Sequence, residues 1–432
     1  MERRPLRAPK GVEDVYGPEA ARWHALEDRF FEVCDLYGYR RVRIPVFEDT
    51  ELFVRGVGEA TDVVRKEMYS FTDRGGRSLT LRPEGTAGVV RCFVEHHLDQ
   101  AGLPQKLAYG GPMFRAENVQ RGRQRQFNQL GVEAIGVDDP DLDVEVVALG
   151  WRFLADCGLE AAALVVNSIG RPDERAAYIE ELRGFVERSG VAIGADDRER
   201  LRLNPMRLLD TKDPAVAEVV ASAPRLYDHL DVESKAHFSA VLDGLEALDI
   251  PYTVDHGLVR GLDYYTSTTF EYVSTSLEAA QNALGGGGHY DGLVEVVGGP
   301  DLPGIGFALG VERILLAMDA EGAAATDRST ADVVVLQAGA EDEVASTARG
   351  ICDALRRAGV RSDRPYGGRS LKAQFKHADR TGARFAVIVG ARDLGAGRVT
   401  VRDLASGAEA TVATDDVVAH VTAATGAERG DP

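Results

Sequence analysis

Residues 111–136, GPMFRAENVQRGRQRQFNQLGVEAIG, decide how the chain is read. Arg115, Arg121, Arg123 and Arg125 crowd into one loop of a chain whose net charge is -19. The flanking runs KLAYGGPMFRAE and QFNQLGVEAIG are extended in pattern, so the loop reads as the tip of a hairpin. In a strand, side chains two apart share a face. Arg115 and Glu117 then point one way, as do Phe127, Gln129, Gly131 and Glu133, while Leu130 and Val132 point into a core. One face would gather Arg115, Glu117, Phe127, Gln129 and Glu133, with Gly131 leaving open space for a ligand. The bland alternative is a solvated hairpin with surface ion pairs. A whole polar cluster opposite an apolar face favours a binding cleft.

Working outward, residues 18–37 read as an amphipathic helix on Trp23, Leu26, Phe30 and Val33, with Gly38 to end it. RVRIPVFEDT is extended but interrupted by Pro45, which suits an edge or a bend. SLTLRP (78–83) is extended, and EGTAGVVRCFVEHH turns to helical spacing. Within TLRPEGTA (80–87), Arg82, Glu84 and Thr86 recur at period two, which is costly unless they face a cleft; Glu84 has the alternative of capping the helix. DLDVEVVALGWRFLADCGL is a helix with acids in its first turn, where the dipole favours them. Residues 161–169 read as a strand, and residues 170–250 as a mostly helical insertion. Strands return at YTVDHGLVRGLDYYTSTTFEYV.

Two segments of this second half carry chemistry. In LVRGLDYYTST (258–268), Arg260 precedes Gly261, which allows close backbone approach, and then Asp263, Tyr264 and Tyr265. Adjacent tyrosines in a strand would face opposite sides, one of them into the core. In GFALGVERILL (306–316), Arg313 begins a helix, where it is unfavourable unless an anion compensates. GGGGHYDG (285–292) reads as a Gly-rich turn that either wraps a ligand or merely flexes. Neither GxxxxGK[ST] nor a GxGxxG fingerprint after a strand is present, so a nucleotide would be held by another scheme.

The totals bound the rest. The 432 residues suffice for two or three domains. Cys34, Cys92, Cys157 and Cys352 form no CxxC pair, which argues against a zinc knuckle or disulfide framework and suits a reducing, cytosolic setting. The N-terminal stretch has no apolar core of signal-peptide length, and no run approaches a membrane span. Strong net acidity excludes a non-specific nucleic-acid binder. Charge is nonetheless placed locally: residues 331–432 hold 14 acidic and 14 basic side chains, and residues 356–384 hold nine Lys or Arg against two Asp. AEGAAATDRST (320–330) is a linker candidate, beyond which alternating strands and helices indicate a small α/β domain.

FRAE (114–117) resembles motif 2 of the class II aminoacyl-tRNA synthetases, GVER (310–313) resembles motif 3, and the Pro45 region resembles the dimer-forming motif 1. More specific still, LVRGLDYY and GGGGHYDGL resemble the two signatures of the histidyl-tRNA synthetase family, and the tail resembles its anticodon-binding domain. The resemblance implies an α+β fold: a class II catalytic domain (1–325) with an antiparallel sheet flanked by helices, the helical insertion (170–250), and a C-terminal α/β anticodon-binding domain (331–425). It implies a cytoplasmic homodimer with no membrane association. L-histidine and ATP, with Mg2+, would form histidyl-adenylate and pyrophosphate; the acyl group would then pass to the terminal adenosine of tRNA(His).

By the same resemblance, Arg115, Arg260 and Arg313 are the catalytic arginines, with Arg115 at the α-phosphate and Arg313 at the γ-phosphate. Glu117 would read the adenine and Phe127 stack on it. Glu84, Thr86, Gln129, Glu133, Tyr264 and Tyr265 would form the histidine pocket. Arg121, Arg123 and Arg125 would meet the tRNA acceptor end, and Arg369, Lys372 and Lys376 would contact tRNA from the tail. No stored protein metal site is implied, since Mg2+ would leave with pyrophosphate. The chemistry agrees: a carboxylate attacking phosphorus needs positioning and positive charge more than a strong base, and arginine offers a permanent charge on a rigid fork. His289 stands where the family usually has arginine, and a histidine neutral at pH 7 would supply less positive charge there. The nearest rival is a regulatory subunit of ATP phosphoribosyltransferase, which resembles this family, generally lacks the anticodon domain and loses catalytic residues. Arg115, Arg260, Arg313 and the tail are all retained here.

Overall fold

The apolar stripe Leu26, Phe30, Val33 and Cys34 makes Pro18–Leu36 a helix (α1) buried along that face, and Gly38, at φ 77°, lets the chain turn away from its end. The computed structural model describes residues 6–59, 61–211, 213–278, 281–323 and 330–425. Two units emerge, Met1–Thr326 and Asp327–Pro432.

After α1 come β1 (Arg40–Arg41) and β2 (Phe47–Asp49), separated by Pro45 and belonging to different sheets. Next are α2 (Thr50–Val57), β3 (Tyr69–Thr72), β4 (Ser78–Leu81), α3 (Thr86–Glu95), β5 (Gln105–Phe114) and β6 (Gln126–Ile135). The β5–β6 hairpin is paired from Gln105↔Ile135 to Phe114↔Gln126. Helix α4 (Pro140–Asp156) and strand β7 (Ala162–Ser168) lead into the insertion. Its helices are α5 (Pro172–Ser189), α6 (Ala195–Leu203), α7 (Pro214–Val220), α8 (Leu226–His229) and α9 (Val232–Ala247). Helices α5 to α8 enclose a core of their own, including Tyr178, Leu182, Leu208 and Val216, whereas α9 sends Phe238, Val241 and Leu245 into the main core. The unit closes with β8 (Tyr252–Val254), β9 (Thr266–Ser274), β10 (Ala283–His289), α10 (Leu293–Val296), β11 (Gly304–Gly310) and α11 (Val311–Glu321).

One eight-stranded sheet, ordered β1-β5-β6-β11-β10-β9-β7-β8, organises all of this. Its interior pairs are antiparallel, whereas the outermost pairs, β1 with β5 and β7 with β8, are parallel. On one face Leu130, Val132, Phe270, Tyr272 and Phe307 pack against α1 and α4, with Phe30, Phe153 and Phe307 in edge-to-face contact. The other face is polar and carries the cleft. A small antiparallel sheet, β2-β4-β3, flanks it.

Three local expectations are corrected. The run Gly285–Gly288 is no turn: it is the body of central strand β10, paired on both sides. A Cβ at Gly285 would stand 2.3 Å from the Ala308 carbonyl oxygen, and at Gly287 1.9 Å from that of Gly306. These glycines therefore permit close strand packing and leave a flat floor. Arg82 does not face the cleft. It is buried, and it donates from Nε to the Pro112 carbonyl (2.8 Å) and from Nη1 to that of Ile44 (2.9 Å), so backbone oxygens replace its water. Nor is the space over Gly131 open, because a Cβ there would lie 2.5 Å from the Tyr109 hydroxyl.

The second unit runs β12 (Val333–Ala338), α12 (Asp342–Arg357), β13 (Ser362–Asp363), α13 (Leu371–Thr381), β14 (Phe385–Gly390), α14 (Ala391–Leu394), β15 (Arg398–Asp403), β16 (Glu409–Ala413) and α15 (Val417–Thr425). Its sheet is ordered β13-β12-β14-β15-β16, parallel across β13-β12-β14 and antiparallel beyond. Continuous apolar runs in β12 and β14 match their burial on both faces. Of the expected linker, α11 already takes residues 320–321, and residues 324–329 lie outside the described residues. Among the described residues no helix is long and apolar enough to cross a membrane.

Candidate active site

The polar face of the large sheet opens into a cavity of about 360 Å³. Arg115, Arg260 and Arg313, far apart in sequence, all line it, together with Glu84, Thr86, Glu117, Phe127, Gln129, Tyr264 and Tyr265. Three segments deliver the arginines: the end of the β5–β6 hairpin, the loop before β9, and the first turn of α11.

Each arginine is held in place by groups of the protein itself. Arg115 donates from Nε to the Pro83 carbonyl (2.8 Å), and its guanidinium lies 5.3 Å from the centre of the Phe127 ring. Arg260 pairs from Nη1 with Glu271 Oε1 at 2.7 Å and stands 5.9 Å from the Tyr265 ring centre, leaving its buried Nε without a partner. Arg313 donates from Nη1 to the Ala283 carbonyl at 2.6 Å. Burial, then the nearby charge of Arg123, depresses the Arg313 pKa. An arriving polyphosphate would relieve both effects. A Cβ on Gly286 would lie 2.9 Å from Arg260 Nη1, so the glycine floor is what lets Arg260 lie flat over the strand.

Beside these cations is a slot lined by acids. Glu84 accepts from the backbone amides of Thr86 (2.7 Å) and Ala87 (2.9 Å), capping α3 while facing the cavity. Glu133 lies behind the wall, fully buried. Its Oε1 accepts from Thr86 Oγ1 (2.7 Å) and Tyr109 Oη (3.3 Å); its Oε2 meets no donor in good hydrogen-bond geometry, although the Tyr290 hydroxyl lies beside the carboxylate. Burial pushes its pKa up to about 8 against those hydrogen bonds. The buried Gln129 Oε1 is also unpartnered. Unsatisfied buried acceptors beside a cavity are what a polar ligand would complete. Tyr264 and Tyr265 do not face opposite sides, because they precede β9 in a bend; both line the cavity with ring centres 4.6 Å apart.

The remaining expected residues fall in two places. Arg123 also lines the cavity, bonded to Glu117 at 3.0 Å, whereas Arg121 is exposed and Arg125 leans from Nε on the Glu117 carbonyl at 3.4 Å. Arg369, Lys372 and Lys376 are exposed at and along α13 of the second unit.

Sequence reasoning missed Glu271, Glu312 and Tyr109. Glu271 had a signal: a lone carboxylate between the apolar Phe270 and Tyr272 of a strand. Glu312 holds the Asn128 amide at 2.8 Å and so fixes β6 against α11. Tyr109 had none, since only the tertiary fold places its hydroxyl over Gly131. The structure also bears on the charge of His289, which the sequence leaves open. It is buried, with Nε2 2.8 Å from Asp143 Oδ1 and Nδ1 3.1 Å from Asp291 Oδ1. Burial alone would lower its pKa; the charge of Asp143 and the hydrogen bonds to Asp143 and Asp291 outweigh that and raise it to about 10. It is therefore a cation at pH 7.

Residues 11–314 match the family model "Histidyl-tRNA synthetase", and residues 332–424 match "Anticodon binding domain". The chain is similar to the histidine–tRNA ligase of Corynebacterium kroppenstedtii, 48% identical over 418 residues, covering 97% of both chains. It is likewise similar to that of Mycobacterium marinum, 49% identical over 414 residues, covering 96% of this chain and 97% of the relative. Among solved structures, apo histidyl-tRNA synthetase of S. aureus superposes with a TM-score of 0.82 at 38% identity, covering 96% of this chain and 100% of that one.

Proposed function

The chain belongs to the histidyl-tRNA synthetase family, and from that premise we propose that it is an ATP-dependent histidine–tRNA ligase whose cleft runs both halves of the reaction. The observation that carries the reading is the convergence of Arg115, Arg260 and Arg313 on one cavity beside the slot walled by Glu84 and Thr86, with Glu133 hydrogen-bonded to Thr86 behind it.

In the first step a carboxylate oxygen of histidine attacks the α-phosphorus of ATP. A carbon-bound oxygen–phosphorus bond forms, the bond to the β-phosphate bridging oxygen breaks, and pyrophosphate departs. Arg115 and Arg260 bring the two negative reactants together at the α-phosphate, and Arg313 neutralises the departing end. Phe127 and Glu117 take the adenine, while Gln129, Glu133 and the two tyrosines take histidine. Pairing both imidazole nitrogens rejects amino acids that would strand these buried groups. Glu84, Glu271 and Glu312 are each engaged by protein donors, so Mg2+ arrives on the triphosphate as part of the substrate and leaves with pyrophosphate. In the second step a ribose hydroxyl of the terminal tRNA adenosine attacks the acyl carbon and AMP leaves.

Arg121, Arg123 and Arg125 then face the acceptor end. The second unit acts as the anticodon-binding domain, with Arg369, Lys372 and Lys376 contacting phosphates. A homodimer and a cytoplasmic location complete the reading. The dimer is supported by Phe47 and Phe71, which stay exposed on the small sheet with rings 6.3 Å apart, and by the exposed Val46 just before it. The regulatory-subunit alternative is disfavoured by the retained arginines and the second unit. Histidine-dependent exchange of labelled pyrophosphate into ATP tests the proposal. Arg260→Ala is expected to abolish exchange while tRNA binding survives; normal exchange by that variant refutes its role.

A further inference from the structure

Behind the histidine slot lies a buried ionic cluster that the reaction does not use directly. Asp143 on α4 is fully buried and bridges two imidazoles: Oδ1 meets His289 Nε2 at 2.8 Å, and Oδ2 meets His237 Nε2 of α9 at 3.0 Å. His289 reaches Asp291 with its other nitrogen at 3.1 Å. Asp291 in turn accepts from Thr266 Oγ1 at 2.8 Å, and its own amide donates to that oxygen at 3.2 Å. Outside this chain stand the exposed Asp138, 3.6 Å from His237 Nδ1, and Arg175 of α5, which feels the charge of Asp291 and donates to the Tyr265 carbonyl at 3.0 Å.

The cluster sits where the sheet is least regular. Pairing of β9 and β10 slips between Gly288 and His289, so that His289 lies opposite Thr266. Ser267 there has a positive φ of 42°, unfavourable for a side-chain-bearing residue. Thr266 follows Tyr264 and Tyr265 directly. Tyr290, next to His289, packs edge-on to Tyr264 at 6.0 Å, and its hydroxyl lies beside Glu133. Tyr264, Tyr265 and Tyr290 therefore adjoin one bulge.

We propose that His289 is a positioning residue for the histidine slot: a buried imidazolium clamped between Asp143 and Asp291 that holds the Tyr264–Thr266 corner and Tyr290 against Glu133. The fully buried Asp143 and the half-buried Asp291 face opposite nitrogens of one buried ring, an arrangement that demands a cation between them. Both ring nitrogens face carboxylates, so both are donors, and no lone pair is left for a ligand. That distinguishes the cluster from a metal site, although Asp138, His237 and His289 bring one donor atom each within 4.8 Å of one another. The charge is shared with His237, whose pKa is raised because hydrogen bonding and charge from Asp143 outweigh its burial.

This inference rests on the functional reading for its kinetic test, and a spectroscopic test frees it from that reading. In pyrophosphate exchange, His289→Gln is expected to raise KM for histidine about tenfold with KM for ATP nearly unchanged, and His289→Arg, which restores charge and a fork of donors, to recover most of that loss. Parental KM in the Gln variant, equal rises for both substrates, or failure of the Arg variant overturns the proposal. Side-chain 15N NMR of the substrate-free protein is expected to show the His289 ring doubly protonated at pH 8; a neutral tautomer, or stoichiometric zinc in the purified protein, overturns it. Absence of histidine-dependent exchange by the parent would defeat the functional reading instead, and the ring spectrum would still decide the charge.

Discussion

On the proposed function, a raised pKa at Glu133 sets the pH range in which histidine binds. Its ordinary pKa of 4.5 is raised to about 8, chiefly by burial. At pH 7 it is then about nine-tenths protonated and at pH 9 about one-tenth. The free imidazole of histidine titrates near ~6.5. The same desolvation that raises Glu133 favours a bound pair of zero net charge, either acid with neutral imidazole or carboxylate with imidazolium. Both forms carry one shared proton. Between roughly pH 6.5 and 8 the separated partners already carry that proton, and binding is independent of pH. Above that range the protein must take one up, and KM for histidine should rise about tenfold from pH 7 to 9. Glu133→Gln cannot ionise, so this alkaline rise should be missing from the variant and survive in the ratio of parent to variant KM, where any titration of the substrate's own amino group cancels. KM measured by pyrophosphate exchange across pH 6–9.5 gives the answer. A ratio of parent to variant KM that falls or stays flat through pH 8 refutes the shared-proton argument. Stability has the matching sign: the raised pKa stabilises fully below about 4.5 and not at all above about 8, so parental stability should decline with pH across that window relative to the Gln variant.

Other perturbations read out other parts of the machine. Gly286→Ala places a Cβ 2.4 Å from the Phe270 carbonyl oxygen and 2.9 Å from Arg260 Nη1; kcat for exchange should fall more than about tenfold, with a few degrees lost in Tm. Lys372→Ala with Lys376→Ala should weaken tRNA binding and flatten its salt dependence while exchange is unchanged, because both side chains lie in the second unit. Phe47→Glu, or Phe71→Glu, should convert a sedimenting dimer into a 46.6 kDa monomer, and a parent that already sediments at that mass would refute the interface.

Much of the fold could be read from periodicity. Alternation in QFNQLGVEAIG assigned Leu130 and Val132 to the core and Gln129 to the other face, because in a strand the pleat alone decides facing. The stripe in α1 and the apolar runs of β12 and β14 were legible for the same reason. Misreadings fell where a partner strand decides the conformation. Four glycines have no side-chain pattern, so Gly285–Gly288 read as a turn, whereas close pairing with β9 and β11 makes them a strand. Arg82 was given to the cleft by its spacing, yet carbonyls of two distant segments claim it.

The site divides in the same way. The residue types of Arg115, Arg260, Arg313, Glu84 and Gln129 announced the chemistry, since fixed positive charge and paired acceptors are properties of the side chains themselves. Their meeting in one cavity was settled by the sheet, and so were the proton on Glu133 and the charge on His289. Protonation depends on how much water is excluded and which charges remain nearby. Both depend on β6, α4 and the segment around Asp291, which are distant in sequence and adjacent only in the folded chain.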